Sequence, residues 1–197
     1  ADRGVRISRL IGHLAGPGQP CGGVQMCARL TGANDSVVAV LEDRFGDKMQ
    51  FRQRLLQITD YGKGFPAILN QLTKVGAISQ EDFEARFKMM AALPSVYYPI
   101  VIEDESKGQI IGAATVVIEL KFVHQCGVVG HVEDVVVDGA YRGLKLGARL
   151  IETLKKVAVA RGCYKLILDC DDHNIKFYNK LGYKERAMHM ANYLDRS

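Results

Sequence analysis

HVEDVVVDGAYRGLKLGARL, residues 131–150, is the stretch whose reading decides the fold. Val132 and the run Val135-Val136-Val137 have the character of a buried strand, and Asp138-Gly139-Ala140 ends it as a turn. Arg142-Gly143 and Gly147 follow, and an amphipathic pattern then runs from about Lys145 to Ala160 and stops at Gly162. A strand, a glycine-bearing turn and a helix start in that order make a cradle for an anion. Unpaired backbone N–H groups and the positive end of the helix dipole converge on one point. The spacing is neither the G-x-x-x-x-G-K-[ST] of a P-loop nor the G-x-G-x-x-G of a dinucleotide fold. A phosphorylated ligand is expected there.

Outward from this core, the chain alternates strands and helices. Phe51 to Ile58 reads as a first strand, and Tyr61-Gly62-Lys63-Gly64 with Pro66 opens a helix carrying Ile68, Leu69, Leu72 and Val75, ended by Gly76. Ser79 caps a second helix through about Met90, with Glu81 and Asp82 in its first turn. Tyr97–Glu103 and Gln109–Phe122 form a hairpin around 104–108. After the long helix, Tyr164–Asp169 is a short buried strand, Asn174–Leu181 a helix ended by Gly182, and Tyr183–Tyr193 a final strand. The order βααβββαβαβ predicts an α/β fold, a mixed twisted sheet with helices on both faces.

At 197 residues the chain holds one domain of about 36–197 and an N-terminal extension of about 1–35, which bears the turn-forming run GPGQPCGG. The net charge of +4 is concentrated in residues 1–30, where Arg3, Arg6, Arg9 and Arg29 face Asp2 alone. The near-neutral domain argues against a nucleic-acid footprint, and no apolar run reaches the roughly 18 residues of a membrane helix. Five cysteines without a CxxC pair indicate neither a disulfide framework nor a metal site. Cys163 and Cys170, flanking an apolar strand, read as packed thiols. Arg6 to Leu14 fits the R-[LIV]-x5-[HQ]-[LA] pattern of an import signal for peroxisome-like organelles such as glycosomes. A plain basic tail on a cytoplasmic protein is the alternative.

The loop 142–147 resembles the R/Q-x-x-G-x-G/A pyrophosphate loop of the GNAT acetyltransferases, with Lys145 where the wider superfamily has its middle glycine. GHVEDVVVD at 130–138, LTKVGAISQEDF at 72–83, KFVH at 121–124, CYKLILDC at 163–170 and NIKFYNKLGY at 174–183 resemble segments of the eukaryotic glucosamine-6-phosphate N-acetyltransferases, in the same order. The resemblance covers about 49–194. It implies a GNAT fold and transfer of acetyl from acetyl-CoA to the amine of glucosamine 6-phosphate in a ternary complex, on the route to UDP-N-acetylglucosamine. It also implies a homodimer that exchanges C-terminal strands.

Residue by residue, the resemblance assigns Arg142, Gly143, Leu144, Lys145, Leu146 and Gly147 to the CoA pyrophosphate. Val135, Val136 and Val137 fall to the pantetheine and acetyl carbonyl, and Asn174 to the pantetheine. Tyr178, one turn after Asn174, would protonate or stabilise the leaving thiolate, and Asp169 would draw off the amine's proton. Glu133 and Asp134 would hold the sugar. As strand neighbours they are expected on opposite faces. Thr73 and Lys121, Phe122, Val123 and His124 would meet the sugar phosphate. The arginine that the family usually carries near the end of its last strand is absent from Met190–Leu194, with Arg196 just beyond. Two rival readings are a GNAT enzyme acting on a peptide or polyamine and a non-catalytic acetyl-CoA-binding module.

Overall fold

Among the described residues, six strands build one sheet in simple chain order, each antiparallel to the one before except the last pair, which is parallel. They are β1 (Asp43–Phe45), β2 (Phe51–Leu55), β3 (Tyr97–Asp104), β4 (Gln109–Leu120), β5 (Val128–Val137) and β6 (Cys163–Ile167). The helices are α1 (Phe65–Leu69), α2 (Gln80–Ala91), α3 (Leu146–Ala160) and α4 (Asp172–Lys180). The computed structural model describes residues 41–45 and 50–194. The N-terminal extension with Arg6–Leu14, Cys21 and Cys27, and the C-terminal Arg196, lie outside them. No helix among the described residues is long and apolar enough to cross a membrane.

The helices do cover both faces. Leu146, Leu150, Ile151, Leu154 and Val157 of α3 are fully buried against Ile100, Ile102, Ile111, Val116 and Val132. Ile68 of α1 and Phe83 of α2 close the opposite face on Val101, Ile110, Ala113 and Val136. Each such aliphatic side chain contributes about 1.5–3 kcal/mol on burial. The alternation of strand residues between the two clusters is what lets one sheet serve two cores.

Departures from the sequence reading are local. The first strand ends at Leu55, because Ile58–Lys63 coils into a 3-10 turn around buried Asp60. The helix expected to reach Val75 ends at Leu69, where the Asn70 side chain accepts the Val75 N–H at 3.1 Å. The final strand expected over Tyr183–Tyr193 does not form: none of 183–194 is paired into the sheet, and 184–194 are exposed throughout. The strand at 163–167 is an edge with Tyr164 and Ile167 exposed, not a buried element. Cys163 is packed, and burial pushes its thiol up to about 11. Cys170 is exposed instead.

Under the 3-10 turn, four charges are locked together. The Arg54 guanidinium donates to Asp60 Oδ2 at 2.7 Å, to Asp60 Oδ1 at 2.8 Å and to Glu103 Oε2 at 2.6 Å, while Lys63 Nζ donates to Glu103 Oε1 at 2.6 Å. Burial alone would raise the Glu103 pKa, but hydrogen bonds from Lys63 and Arg54 outweigh it and hold that carboxyl below its usual range. Asp104 is lowered likewise, its desolvation outweighed by hydrogen bonds from Ser106 and Tyr141. A carboxyl whose folded pKa lies below its unfolded value stabilises the fold above the unfolded value and loses that contribution as pH falls through the folded one. Thermal unfolding followed from pH 7 downward should therefore show Tm dropping below about pH 4, the ordinary carboxylate range. Glu103→Gln should be less stable at pH 7 and show a shallower acid drop. An unchanged slope would remove Glu103 from the acid response.

Candidate active site

The strands β5 and β6 pair from Val128↔Cys163 to His131↔Ile167 and then part, although β5 runs on to Val137. Along that opening the β6-facing backbone of residues 132–137 has no strand partner. An extended ligand can lie there and complete the sheet. The gap leads to the start of α3, where Arg149 N–H is the first to bond back into the helix, to Lys145 O at 3.1 Å. The preceding amides point outward, as an anion requires. Asn174 and Tyr178, on one face of α4, stand half-buried beside it.

The loop between β5 and α3 is built for this job. Asp138 Oδ1 accepts the Ala140 N–H at 2.8 Å to start a short 3-10 turn, and Tyr141 anchors it by donating to Asp104 Oδ2 at 2.7 Å. Arg142 is extended, Gly143 has φ +87° and Lys145 has φ +61°. The left-handed backbone at 145 gives the physical reason a glycine suits that place. A lysine adopts it at a cost of about 1–2 kcal/mol. Gly147 serves a second purpose, since a Cβ there would come within 3.3 Å of Phe177 Cζ, so its bareness lets α4 pack against the mouth of α3. Phe177 is partly buried and packs against the core.

The carboxylates gather at the gap. Pairing with β4 runs Ala113↔Val136 and then Thr115↔Glu133, so two residues of β5 oppose one of β4 and Asp134 takes φ +52°. This bulge shifts the phase of the strand. Val128 and Val132 face the α3 core before it, and Val135 and Val137 face it afterwards. The alternation that would send Glu133 and Asp134 to opposite faces is thus broken. Desolvation raises the Glu133 pKa, as do the charges of Asp134 and Asp169, against the opposing pull of His131 and His189. Asp169 is not a helix cap; Asp171 is the residue before α4. Its Oδ2 instead meets His189 Nδ1 at 2.9 Å.

Tyr178 packs edge-on against Phe177 and Tyr183, with ring centroids 5.0 and 5.8 Å apart. Burial first, and then Cys170, raises its pKa above the ordinary phenol value, so its hydroxyl keeps its proton. The Tyr183 phenol is pushed up to about 12, chiefly by burial.

The residues expected at the phosphate are not brought together within one chain. Thr73 lies two residues from Gln71, whose side-chain amide donates to Asp138 Oδ2 at 3.1 Å and accepts the Gly139 N–H at 2.9 Å, at the far end of β5. Lys121, Phe122, Val123 and His124 lie in the turn that precedes β5, a separation of roughly 30 Å along a ten-residue strand. Lys121 Nζ is paired with Glu119 at 2.5 Å, and Glu119 also meets His131 Nε2 at 2.7 Å. The His124 ring lies tilted at 49° against the Tyr164 ring, centroids 5.0 Å apart, and His124, Gln125 and Cys126 are all left-handed, with φ 54°, 57° and 60°. Phe122 is 96% exposed, so this turn offers an apolar surface as well as a cation. Gln71, His131 and His189 carry no local sequence signal and become visible only through these contacts.

A profile of the Acetyltransferase (GNAT) family matches residues 67–183. The chain is 41% identical over 145 residues to glucosamine 6-phosphate N-acetyltransferase of Arabidopsis thaliana, covering 74% of this chain and 97% of that one. Its identity to the Candida albicans protein of the same description is 43% over 138 residues, covering 70% and 92%. The crystal structure of the Arabidopsis enzyme superposes with a TM-score of 0.72 over 74% of this chain and 99% of that one. A Trypanosoma brucei acetyltransferase structure, 32% identical, gives 0.69 over 74% and 100%.

Proposed function

The chain belongs to the GNAT acetyltransferase family, and from that premise we propose that it transfers the acetyl group of acetyl-CoA to the amine of glucosamine 6-phosphate, giving N-acetylglucosamine 6-phosphate and CoA. The observation that carries the reading is the parting of β5 and β6 beside Glu133, Asp134 and Asp169. A thioester arm laid in the gap would reach a carboxylate-lined acceptor site directly. Arg142 to Gly147 and the start of α3 cradle the diphosphate. Backbone groups of Val135–Val137 hold the pantetheine and face the developing oxyanion, and Asn174 steadies the arm. Glu133 and Asp134 accept from sugar hydroxyls. Most of the acceleration comes from holding amine and thioester in line.

The separation of Thr73 from the 121–124 turn, and the exposure of Met188, Met190, Tyr193 and Leu194, favour a homodimer. In it a second copy covers the C-terminal segment and supplies one half of the phosphate site. We also propose that Arg6–Leu14 acts as an import signal for a peroxisome-like organelle.

The test is CoA release with glucosamine 6-phosphate, unphosphorylated glucosamine and spermidine. Loss of the phosphate is expected to lower kcat/KM by roughly tenfold or more, the worth of one or two charge-assisted contacts. A preference for either unphosphorylated amine would overturn the sugar-phosphate reading.

A further inference from the structure

Resting on that acetyl-transfer reading, we propose that Lys107, Tyr141 and Asp104 form a positioning chain for the donor. They hold the loop 142–147 in the shape that receives the diphosphate of acetyl-CoA, without touching the ligand themselves. The loop has little of its own to keep that shape. Among the described residues its backbone N–H groups bond back at Arg142, to Gly139 O at 3.4 Å, and not again until Arg149. Gly143 and Lys145 are left-handed, a conformation that a lysine keeps only where its surroundings impose it. An anchor outside the loop is therefore required.

Tyr141, the residue before Arg142, is that anchor. It is 9% exposed, and its ring stands edge-on to Phe51, centroids 5.9 Å apart, with Lys107 Nζ over its face at 4.8 Å. The hydroxyl accepts from Lys107 Nζ at 2.6 Å and donates to Asp104 Oδ2 at 2.7 Å. Asp104 is buried as well, and its Oδ1 accepts the Ser106 N–H at 3.1 Å and the Ser106 hydroxyl at 2.5 Å. Cation, hydroxyl and carboxylate thus run in one donor-to-acceptor direction, with a charge strengthening the bond at each end. The chain is rooted in the hairpin joining β3 to β4, the two middle strands of the sheet, so the loop is tied to the core.

The consequence for binding is entropic. A cradle held in shape receives the diphosphate without further ordering. A loose one must be ordered at every encounter, and that cost weakens affinity for any donor that carries the diphosphate. A donor without it is indifferent to the state of the loop. The two kinds of donor therefore separate a positioning role from general support of the fold.

Tyr141→Phe keeps the ring against Phe51, and Lys107 Nζ, 3.7 Å from Asp104 Oδ2, can answer the carboxylate that loses its donor, so the variant should fold. Calorimetric titration with CoA should give a Kd about tenfold weaker than wild type, the effect of one charge-assisted hydrogen bond. KM for acetyl-CoA should rise to match, with kcat at saturating donor near the wild-type value. With S-acetylpantetheine, which has the same thioester arm and no diphosphate, kcat/KM should be equal in the two proteins. Lys107→Met should act in the same direction. The double variant should bind CoA no worse than Tyr141→Phe alone, because the lysine works through the hydroxyl. An unchanged Kd for CoA, an equal loss with both donors, or losses that multiply in the double variant would overturn the proposal. The titration needs no acceptor, so failure of the sugar-phosphate reading would show separately, in which amine the wild type prefers. A wild type that binds no CoA would overturn both.

Discussion

Replacing Arg54 with methionine is expected to destabilise the protein by about 3–5 kcal/mol, the largest stability effect of any single change considered. Arg54 is 2% exposed on β2 and satisfies Asp60, which is fully buried, and Glu103 through three hydrogen bonds of 2.6–2.8 Å. Methionine fills much of the volume but leaves two carboxylates buried within reach of one another, with only Lys63 to answer them. Each must then be protonated, hydrated or moved. For a domain of this size, each kcal/mol shifts Tm by about 2–4 °C, so a fall of roughly 6–20 °C is expected in a thermal melt. Asp60→Asn in the Arg54→Met background should recover part of the loss, because the penalty lies in the orphaned charge. A Tm within about 2 °C of wild type would show that water reaches the site and the ion cluster is not sealed.

The same cluster explains why part of the molecule was not legible in the sequence. In FRQRL, residues 51–55, the sequence reads as a strand, and nothing local marks one of its two arginines as the hub of a buried network. By contrast, residues 131–150 announced their own structure. The valine run, the Asp-Gly turn and the helical spacing of Leu146, Leu150, Leu154 and Val157 are local signals, and the fold honours each of them. The bulge at Asp134 escaped because no glycine or proline flags it; it is fixed by the register against β4. The C-terminal stretch shows the reverse failure. Met188 and Met190 alternate as a strand should, yet alternation states only which side would be buried, and residues 184–194 make no ladder with the open edge of β6. Asp169 and His189 lie twenty positions apart, so their pairing depends on the turn between them and on no motif.

Substituting Tyr178 with phenylalanine should lower turnover about 10²-fold while leaving acetyl-CoA affinity largely intact. The argument begins with what the change spares. The ring packs edge-on against Phe177 and Tyr183, and those contacts need no hydroxyl, so α4 and the Asn174 beside the gap stay where they are. What is lost is one O–H donor. Burial raises the pKa of that phenol, which keeps it protonated across the working range and makes it a poor proton source in a full transfer. Its contribution is therefore a hydrogen bond to a sulfur gaining negative charge as the C–S bond breaks, an interaction stronger in the transition state than in the bound donor. Turnover should fall without a matching rise in KM for acetyl-CoA. A donor whose thiol is more acidic needs less help at the sulfur, so the ratio of wild-type to variant kcat should shrink with an acetyl thioester of lower leaving-group pKa. Equal turnover of the two proteins, or a ratio indifferent to the leaving group, would remove Tyr178 from the departure of the thiolate and leave it a packing residue of α4.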